Sequence, residues 1–377
     1  MAVLGALTSK IFLREHWQQE PLLVRQALLE DVPVINVASL LALATHGEIE
    51  SLLVTYDAAR DGYRCAHGPF EHSWLGQLPA GVCWTLLVQA VDQWVPEVDA
   101  LKRHFDFLPR WRLDDVMMSV AVEGGGVGPH FDAYDVFLIQ LSGTREWRLG
   151  PMCDDDTELL DHDDLKLLSA FDAVESHHLV PGDLLYLPPG IAHWGVATSD
   201  DCVTCSVGFR APSKGELLEH AMALLASDYG EQSRYRDALV MSPGDAYELG
   251  PDVDQVLDEL WSSLDPSRVR EVLRQALGRQ VTESRYAERI AAADFDASTL
   301  PFVNSTGSLL LNHHPASRFA YRRYLDAAEL YVDGELHHTT ARFAKAICER
   351  RLVLPLSSDE QVLLELLVGQ GSVGIAT

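Results

Sequence analysis

The chain has 377 residues, 47% hydrophobic and 23% charged, which is the composition of an ordinary folded protein long enough for two or three domains. Its formal net charge of −27 argues against general binding to the phosphate backbone of DNA or RNA and is compatible with a basic protein partner. No apolar run approaches the roughly 20 residues that span a bilayer, and the first residues carry no basic leader, so we expect a cytoplasmic protein without a membrane segment.

The first 110 residues mix helical and extended patterns. The stretch WTLLVQAVDQWVPEVDALKRHF, residues 84–105, places apolar residues at helical spacing and predicts an amphipathic helix packed against a core. From Trp111 to Arg210 the pattern changes to short β-rich runs separated by turns that contain Gly or Pro. Many short strands with this punctuation indicate a small antiparallel barrel or sandwich.

Beyond residue 212 helical patterns return. Residues 213–216 form a capping box that predicts the start of a helix, and Gly230 suits its end. An Asp-Pro pair at 265–266 predicts the start of another helix, which we expect Gly278 to close. These helices must bury an apolar stripe, either in a homodimer interface or against the barrel wall.

The last segment, from about residue 301, combines helical and short extended patterns. FAYRRYLDAAEL, residues 319–330, and TTARFAKAICERR, residues 339–351, predict helices, and the whole segment resembles a winged helix. Residues 301–377 contain seven Lys and Arg residues against eight Asp and Glu residues, so we expect no direct DNA binding by this segment.

The Gly-rich segment GGGVGPHFDAYDVF, residues 124–137, contains a candidate pair of metal ligands. On a strand, His130 and Asp132 are two positions apart and project from the same face. Two histidines and one carboxylate, with open coordination positions, form the facial triad of non-haem iron(II) oxygenases. His193, in PGDLLYLPPGIAHWG, is the candidate third ligand, because the PGD and PPG turns return the chain beside the first pair. A histidine bonded in the core explains His193 taken alone, but the combined pattern predicts a metal site.

Such a site leaves room for 2-oxoglutarate, whose distal carboxylate suits a bidentate arginine. Arg145 follows a Gly-Thr turn and therefore lies on the strand next to the metal strand, whereas Arg148 has the opposite parity and is expected to face away. Ser119, on the preceding strand, could donate a hydroxyl to the same carboxylate, and Thr204 is a further candidate contact. Without the metal site, a surface charge would be the better interpretation of Arg145.

Six stretches resemble the JmjC-domain, cupin-like oxygenases, and specifically the bacterial ribosomal oxygenase family: WTLLVQAV, WRLDDVMMS, GGGVGPHFDAYDVFLIQ, GTREWRLG, PGDLLYLPPGIAHWG and CSVGFRAP. The resemblance is close over residues 10–215. It implies an α+β fold in which residues 1–212 form a catalytic double-stranded β-helix, a jelly roll with its barrel core at about 111–210. A helical dimerisation segment, 213–299, and a winged-helix-like domain, 300–377, are implied to follow, with a homodimer as the assembly.

The resemblance also implies a chemistry. His130, Asp132 and His193 would hold iron(II), Fe(II), and Arg145 would anchor 2-oxoglutarate; O2 is consumed, and succinate and CO2 are released. The implied substrate is an arginine side chain of the large-subunit ribosomal protein L-sixteen, a basic protein partner.

The resemblance further suggests how an arginine substrate is held. On the strand WRLDDVMMSVAV, the side chains of Asp115 and Met117 project from the same face as that of Ser119, the candidate cosubstrate contact. Asp115 can therefore face the same cavity as the cosubstrate. A buried guanidinium needs a carboxylate and further acceptors, which Asp115 and Ser206 could supply, and Tyr134 could stack on it. The ordinary alternatives are an aspartate at a strand end and a tyrosine in the core.

Two other functions remain open at this stage. The same architecture occurs in JmjC enzymes that hydroxylate histidine or demethylate lysine in other basic proteins, and Asp115 does not separate arginine from lysine. A non-enzymatic, cupin-like metal sensor with a winged helix is the second alternative, and the lack of a basic footprint after residue 300 disfavours it.

Overall fold

The computed structural model describes residues 3–27, 35–57, 62–75, 81–230, 234, 251–291 and 307–376. The chain divides into two units, Met1–Ala211 and Pro212–Thr377. None of the helices within the described ranges combines the length and the apolar character needed to cross a bilayer.

Within the described residues, the first unit consists mainly of short strands and also contains four short α-helices. Its strands are β1 (Leu22–Val24), β2 (Ser51–Asp57), β3 (Gly62–His67), β4 (Cys83–Val88), β5 (Leu113–Ala121), β6 (Asp135–Ser142), β7 (Arg145–Met152), β8 (Glu175–Leu179), β9 (Leu184–Leu187), β10 (Ile191–Ala197) and β11 (Cys202–Phe209). Its helices are α1 (Ser9–Glu15), α2 (Val37–Leu43), α3 (His72–Leu75) and α4 (Pro96–Leu101).

These strands form a larger sheet in the order β1-β9-β6-β11-β5-β4-β2-β3 and a smaller sheet in the order β10-β7-β8. All neighbouring strands are antiparallel. From β5 to β11 the chain passes repeatedly between the two sheets, which is the winding of a jelly roll. The predicted double-stranded β-helix is therefore confirmed, and β1 to β4 extend its larger sheet with residues from before the predicted core.

The two faces of the larger sheet bury different clusters of apolar residues. On the outer face, Phe137 of β6 packs with Phe12 of α1. On the inner face, Leu138 packs with Trp147 and Leu149 of the smaller sheet. Because side chains alternate along a strand, this division assigns every second residue of β5, β6 and β11 to the interior between the two sheets.

The amphipathic helix predicted over residues 84–105 is wrong for its first part. Cys83–Val88 is the strand β4, and helical structure begins only with a short turn at Val91–Gln93 and with α4. Leu86 and Val88 pack into the outer core, while Leu87 lies on the other face of the strand. Apolar residues on both faces of a buried strand remove the alternation that distinguishes a strand from a helix.

The second unit combines helices with two small antiparallel sheets. Its elements are α5 (Lys214–Ala226), α6 (Pro251–Ser263), α7 (Pro266–Thr282), α8 (Ala287–Ala291), β12 (Gly307–His313), β13 (Phe319–Tyr324), β14 (Ala327–Val332), β15 (Glu335–Thr340), α9 (Ala341–Cys348), β16 (Arg351–Leu354), α10 (Ser358–Gly369) and β17 (Val373–Ile375). One sheet has the order β13-β14-β15, and strand β12 lies between β16 and β17.

Both predicted helix starts after residue 212 are confirmed, and both predicted ends are wrong. Ser213 and Glu216 form the capping box of α5, but the helix ends at Ala226, before Gly230. Asp265 caps α7, which continues past Gly278 to Thr282. Gly278 is required by packing, because an added Cβ would lie 2.3 Å from the ring of Tyr331.

The helix predicted for residues 319–330 is wrong, because this stretch is the hairpin of β13 and β14. Leu325, in the turn, has a φ of 53°, a conformation that does not occur inside an α-helix. The helix predicted within 339–351 is confirmed as α9, with Thr340 as its N-cap. The dimerising role of 213–299 and the winged-helix character of 300–377 stay predictions, and residues 231–233, 235–250 and 292–306 lie outside the described residues.

Candidate active site

Two distant segments of the chain are joined at His130 and His193. The amide of His193 donates to the carbonyl oxygen of His130 at 2.8 Å, and the amide of His130 donates to that of His193 at 3.0 Å. These two residues form an isolated β-bridge, so the strand predicted for His130 and Asp132 is wrong. Asp132 lies in the turn before β6, where its carbonyl accepts the amide of Gly190 at 2.8 Å. Backbone hydrogen bonds to Gly190 and His193, and not a strand, thus position His130 and Asp132.

The side chains of His130, Asp132 and His193 converge. One potential ligand atom from each lies within 4.8 Å of the others. The Nε2 atom of His193 is 3.7 Å from Oδ2 of Asp132, and the two imidazole centroids are 4.3 Å apart. Two imidazoles and a carboxylate at this spacing form a donor set that can hold one divalent metal ion.

Backbone carbonyls determine which ring nitrogen of each histidine faces the cluster. Nδ1 of His130 lies 2.9 Å from the carbonyl oxygen of Gly128, and Nδ1 of His193 lies 2.8 Å from that of Ile191. A carbonyl only accepts hydrogen bonds, so each Nδ1 carries the proton. In a neutral imidazole, Nε2 then keeps a lone pair for a metal, the arrangement that orients histidine ligands in metalloproteins.

The buried position of His193 keeps its ring neutral. Desolvation and the neighbouring His130 lower the pKa of His193 to about 4, although the carboxylate of Asp132 acts in the opposite direction. A metal must compete with protons for an imidazole nitrogen. At neutral pH the His193 nitrogen is consequently available for coordination.

Arg145, the first residue of β7, is only 3% exposed. Its Nε and Nη2 atoms are buried and have no hydrogen-bond partner among the described residues. Its guanidinium carbon lies 5.7 Å from the centroid of the Trp147 ring. Arg148 turns to the other side of the strand, as expected, and donates from Nε to Glu146 at 2.9 Å. A buried cation whose donors lack partners among the described residues is costly unless an anion pairs with it, so Arg145 is a candidate anion-binding residue.

The candidate cosubstrate contacts Ser119 and Thr204 face each other across β5 and β11 and are both buried. The Thr204 hydroxyl donates to Oε1 of Gln140 at 3.1 Å, and Nε2 of Gln140 donates to the carbonyl oxygen of Ser142 at 2.7 Å. The amide of Gln140 thus fixes the direction of the Thr204 hydroxyl. Sequence analysis missed Gln140, although its parity on β6 places it with Leu138 in the interior.

The four candidate substrate contacts lie on the same interior face. Met117 and Ser206 are directly paired across β5 and β11. Asp115 accepts the amide of Ala90 at 3.3 Å. Tyr134 and Asp115 both approach Gly208, where an added Cβ would lie 3.7 Å from Tyr134 and 3.8 Å from Asp115.

Tyr134 is held as a neutral phenol. Burial, followed by the negative charges of Asp132 and Asp115, raises the pKa of Tyr134 far above its ordinary value. A hydrogen bond with Asp132 acts in the same direction. Tyr134 therefore lies between Asp132, a candidate metal ligand, and Asp115, the carboxylate predicted to receive the substrate.

The fold and the His130, Asp132 and His193 cluster resemble those of known proteins. A family model described as the JmjC domain matches residues 100–217. The chain is 42% identical over 208 residues to the ribosomal protein uL16 3-hydroxylase of Escherichia coli, a match that covers 55% of this chain and 54% of that protein. It is 37% identical over 214 residues to a probable ribosomal oxygenase of Haemophilus influenzae, covering 56% of this chain and 52% of that protein. These matches span about half the length of the curated relatives.

The similarity of fold extends further than the similarity to these curated sequences. The structure of YcfD, a ribosomal oxygenase from Escherichia coli in complex with cobalt and 2-oxoglutarate, matches with a TM-score of 0.76 and 28% identity over 99% of both chains. Residues 100–217, which contain the cluster of two histidines and one aspartate, therefore match the JmjC domain in sequence, and the fold matches that of the ribosomal oxygenase YcfD.

Proposed function

We propose that this chain is an Fe(II)- and 2-oxoglutarate-dependent protein hydroxylase, and that His130, Asp132 and His193 are its metal ligands. The observation that carries the proposal is the convergence of these three side chains within 4.8 Å, with the Nδ1 atom of each histidine directed at a backbone carbonyl oxygen. Two imidazoles and one carboxylate suit iron(II) and leave coordination positions open for a cosubstrate. When bound, the metal and 2-oxoglutarate supply, with O2, the oxidising chemistry that hydroxylates a C–H bond, with release of succinate and CO2.

Arg145 is proposed to anchor the distal carboxylate of 2-oxoglutarate. The support is its burial together with the two unpaired guanidinium nitrogens, because a carboxylate would satisfy both the charge and the donors. Ser119 is proposed as a second donor to the cosubstrate. Thr204 is proposed to line the same space, with Gln140 holding its hydroxyl.

The protein's own residues are proposed to select and position a cationic side chain. Asp115 supplies the carboxylate for a guanidinium, and Met117 and Ser206 line the adjacent interior face. Tyr134, kept neutral, presents its ring beside Asp115. These groups perform no proton transfer in this proposal; they hold the C–H bond in place and exclude water, while the metal centre carries the chemistry.

The proposed substrate is an arginine of the large-subunit ribosomal protein L-sixteen. The relative in Escherichia coli is named a ribosomal protein uL16 3-hydroxylase, and the net charge of −27 favours a basic partner. Histidine hydroxylation and lysine demethylation of other basic proteins are the competing outcomes.

The second unit is proposed to mediate homodimerisation. On α6, Leu257, Leu260 and Trp261 are 54%, 51% and 75% exposed, and their spacing places them along one side of the helix. Light scattering of the purified chain tests this proposal: a mass near twice 41.7 kDa supports it, and a mass near 41.7 kDa contradicts it.

One experiment tests the proposed activity. The purified chain is incubated with Fe(II), 2-oxoglutarate, O2 and a fragment of L-sixteen, and the products are analysed by mass spectrometry. A gain of 16 Da on an arginine, coupled to succinate formation and lost in His130→Ala, is the expected result. Succinate formation that is unchanged in His130→Ala would contradict the metal assignment. A 16 Da gain on histidine, or demethylation of a lysine, would support a competing substrate class.

A further inference from the structure

A second unpaired donor lies beside Arg145 in the interior. Trp147 is only 6% exposed, and its indole Nε1 is buried without a hydrogen-bond partner among the described residues. The indole N–H is a donor only, and buried tryptophans usually place it against an acceptor. A buried N–H without an acceptor loses the hydrogen bond that water would give it, which destabilises the folded state. Packing in the core explains the ring of Trp147 but not the unpaired N–H.

The ring of Trp147 lies close to both ends of the proposed cosubstrate site. Its centroid is 5.8 Å from the imidazole of His193 and 5.7 Å from the guanidinium carbon of Arg145. On β7 the two residues are two positions apart and share the interior face. A molecule held at one end by the metal cluster and at the other by Arg145 would therefore pass near the indole.

A glycine on the strand next to β7 makes room for the Trp147 ring. Gly195 of β10 is paired with Trp147, and a Cβ on Gly195 would lie 2.6–2.8 Å from Cζ3, Cη2 and Cε3 of the ring. These atoms belong to the benzene half, on the edge remote from Nε1. The absence of a side chain at 195 thus lets the benzene half of the indole pack against β10.

We propose that Trp147 is a cosubstrate-binding residue that donates its indole N–H to a carboxylate oxygen of 2-oxoglutarate. The inference rests on the proposed function, because the acceptor is the cosubstrate itself. It makes Trp147 and Arg145 a joint anion site, in which the ring shields the guanidinium from water and the N–H adds one directed hydrogen bond.

Trp147→Phe tests the proposal, since phenylalanine keeps an aromatic ring and removes only the donor. Binding of 2-oxoglutarate to the Co(II)-loaded protein is measured by isothermal titration calorimetry. Loss of a hydrogen bond to a charged acceptor is expected to weaken binding about tenfold, with Co(II) affinity unchanged. The matched control is Trp194→Phe, because Trp194 has the opposite parity on β10 and packs against Arg148. The control should bind 2-oxoglutarate as the wild type does.

A measurement on the wild-type protein covers the case in which Trp147→Phe fails to fold. The chain has eight tryptophans, so its indole N–H signals can be followed by 15N NMR with diamagnetic Zn(II) in the site. Addition of 2-oxoglutarate should shift the Trp147 signal downfield, as expected for a new hydrogen bond. The signal is assigned by its loss in Trp147→Phe, or by elimination with variants of the other tryptophans.

The outcomes separate this inference from the proposed function. If the wild-type protein binds 2-oxoglutarate but Trp147→Phe binds it equally well, or the Trp147 signal does not move, the role of Trp147 is refuted and the proposed function stands. If the loaded wild-type protein fails to bind 2-oxoglutarate, both are refuted.

Discussion

His130 and His193 exchange backbone hydrogen bonds of 3.0 and 2.8 Å, so the two imidazoles are positioned by a single β-bridge between segments 63 positions apart. Each ring is then locked by a second bond from Nδ1 to a nearby carbonyl oxygen. The two imidazoles are thus oriented before any ligand binds, and a side-chain change at either position should leave the bridge intact. Metal affinity can therefore be altered without unfolding the barrel.

His193→Gln is expected to weaken metal binding strongly while the first unit stays folded. Loss of a residue that merely orients a ligand costs about 10–100-fold in metal affinity, so removal of a ligand is expected to cost at least about 100-fold. Calorimetric titration with Co(II) measures the change. His178→Gln is the control, because His178 is exposed on β8. Wild-type Co(II) affinity in His193→Gln would exclude this histidine as a ligand.

Arg145→Met is expected to abolish 2-oxoglutarate binding and also to stabilise the ligand-free protein. The substitution removes the proposed anchor for the distal carboxylate, and it removes a buried charge whose Nε and Nη2 atoms lack partners among the described residues. Relief of that desolvation is expected to add about 1 kcal/mol to the free energy of unfolding. Urea unfolding without ligands and calorimetric titration with 2-oxoglutarate measure the two effects.

Arg148→Met is the matched control for this pair of effects. Its guanidinium is on the other side of β7 and is paired with Glu146, so 2-oxoglutarate binding should be unchanged and no gain in stability is expected. If Arg145→Met lowered the free energy of unfolding of the ligand-free protein, the guanidinium would be a group that stabilises the fold, contrary to our proposal.

The sequence predicted the chemistry of the site better than its local structure. Histidine and aspartate two positions apart implied a common direction, and the structure brings them together, although a backbone bridge and not a strand does so. Gln140 and Trp147 were missed, because a buried amide or indole carries no distinctive motif. On their strands, Gln140 is two positions from Leu138 and Trp147 is two positions from Arg145, so each pair projects from one face. This spacing indicates a place in the interior only once the structure shows which face is the interior one.

The two stretches of strand that were predicted as helices share one physical cause. In residues 84–88 and 319–330 the apolar side chains do not alternate strictly with polar ones, so their spacing fits a helix as well as a strand. Their tertiary neighbours decide between the two. The helix starts at Ser213 and Asp265 were predictable because capping is local. Gly278 misled the analysis, since its role depends on a tyrosine more than 50 positions away.

The burial of His193 predicts a pH dependence for the metal-free protein. Its folded-state pKa is lowered to about 4 from the ordinary value of 6.5, so between these values the unfolded chain takes up a proton that the folded chain does not. This contribution to stability is complete above pH 6.5 and is lost as the pH falls towards 4. At about 1.4 kcal/mol per pH unit, roughly 2 kcal/mol should disappear between pH 6.5 and 5.

The comparison with His193→Gln isolates this titration from those of the other histidines. Urea unfolding of both proteins, with a chelator present, should give a smaller loss of stability in the variant over the same pH range. Equal losses in the two proteins would mean that the His193 imidazole has an ordinary pKa in the folded state.

Gly278→Ala is expected to destabilise the second unit, although alanine is the better helix former. In an exposed helix interior the change would stabilise by roughly 1 kcal/mol. Here the new Cβ would lie 2.3–2.6 Å from three ring atoms of Tyr331, whose hydroxyl donates to Glu329 at 2.9 Å. Displacement of a buried ring costs about 1–3 kcal/mol, so the net effect in urea unfolding should be a loss. Gly215→Ala in α5, where the nearest atom is 3.8 Å away, should be neutral or stabilising; a stabilising Gly278→Ala would show that Tyr331 moves aside without cost.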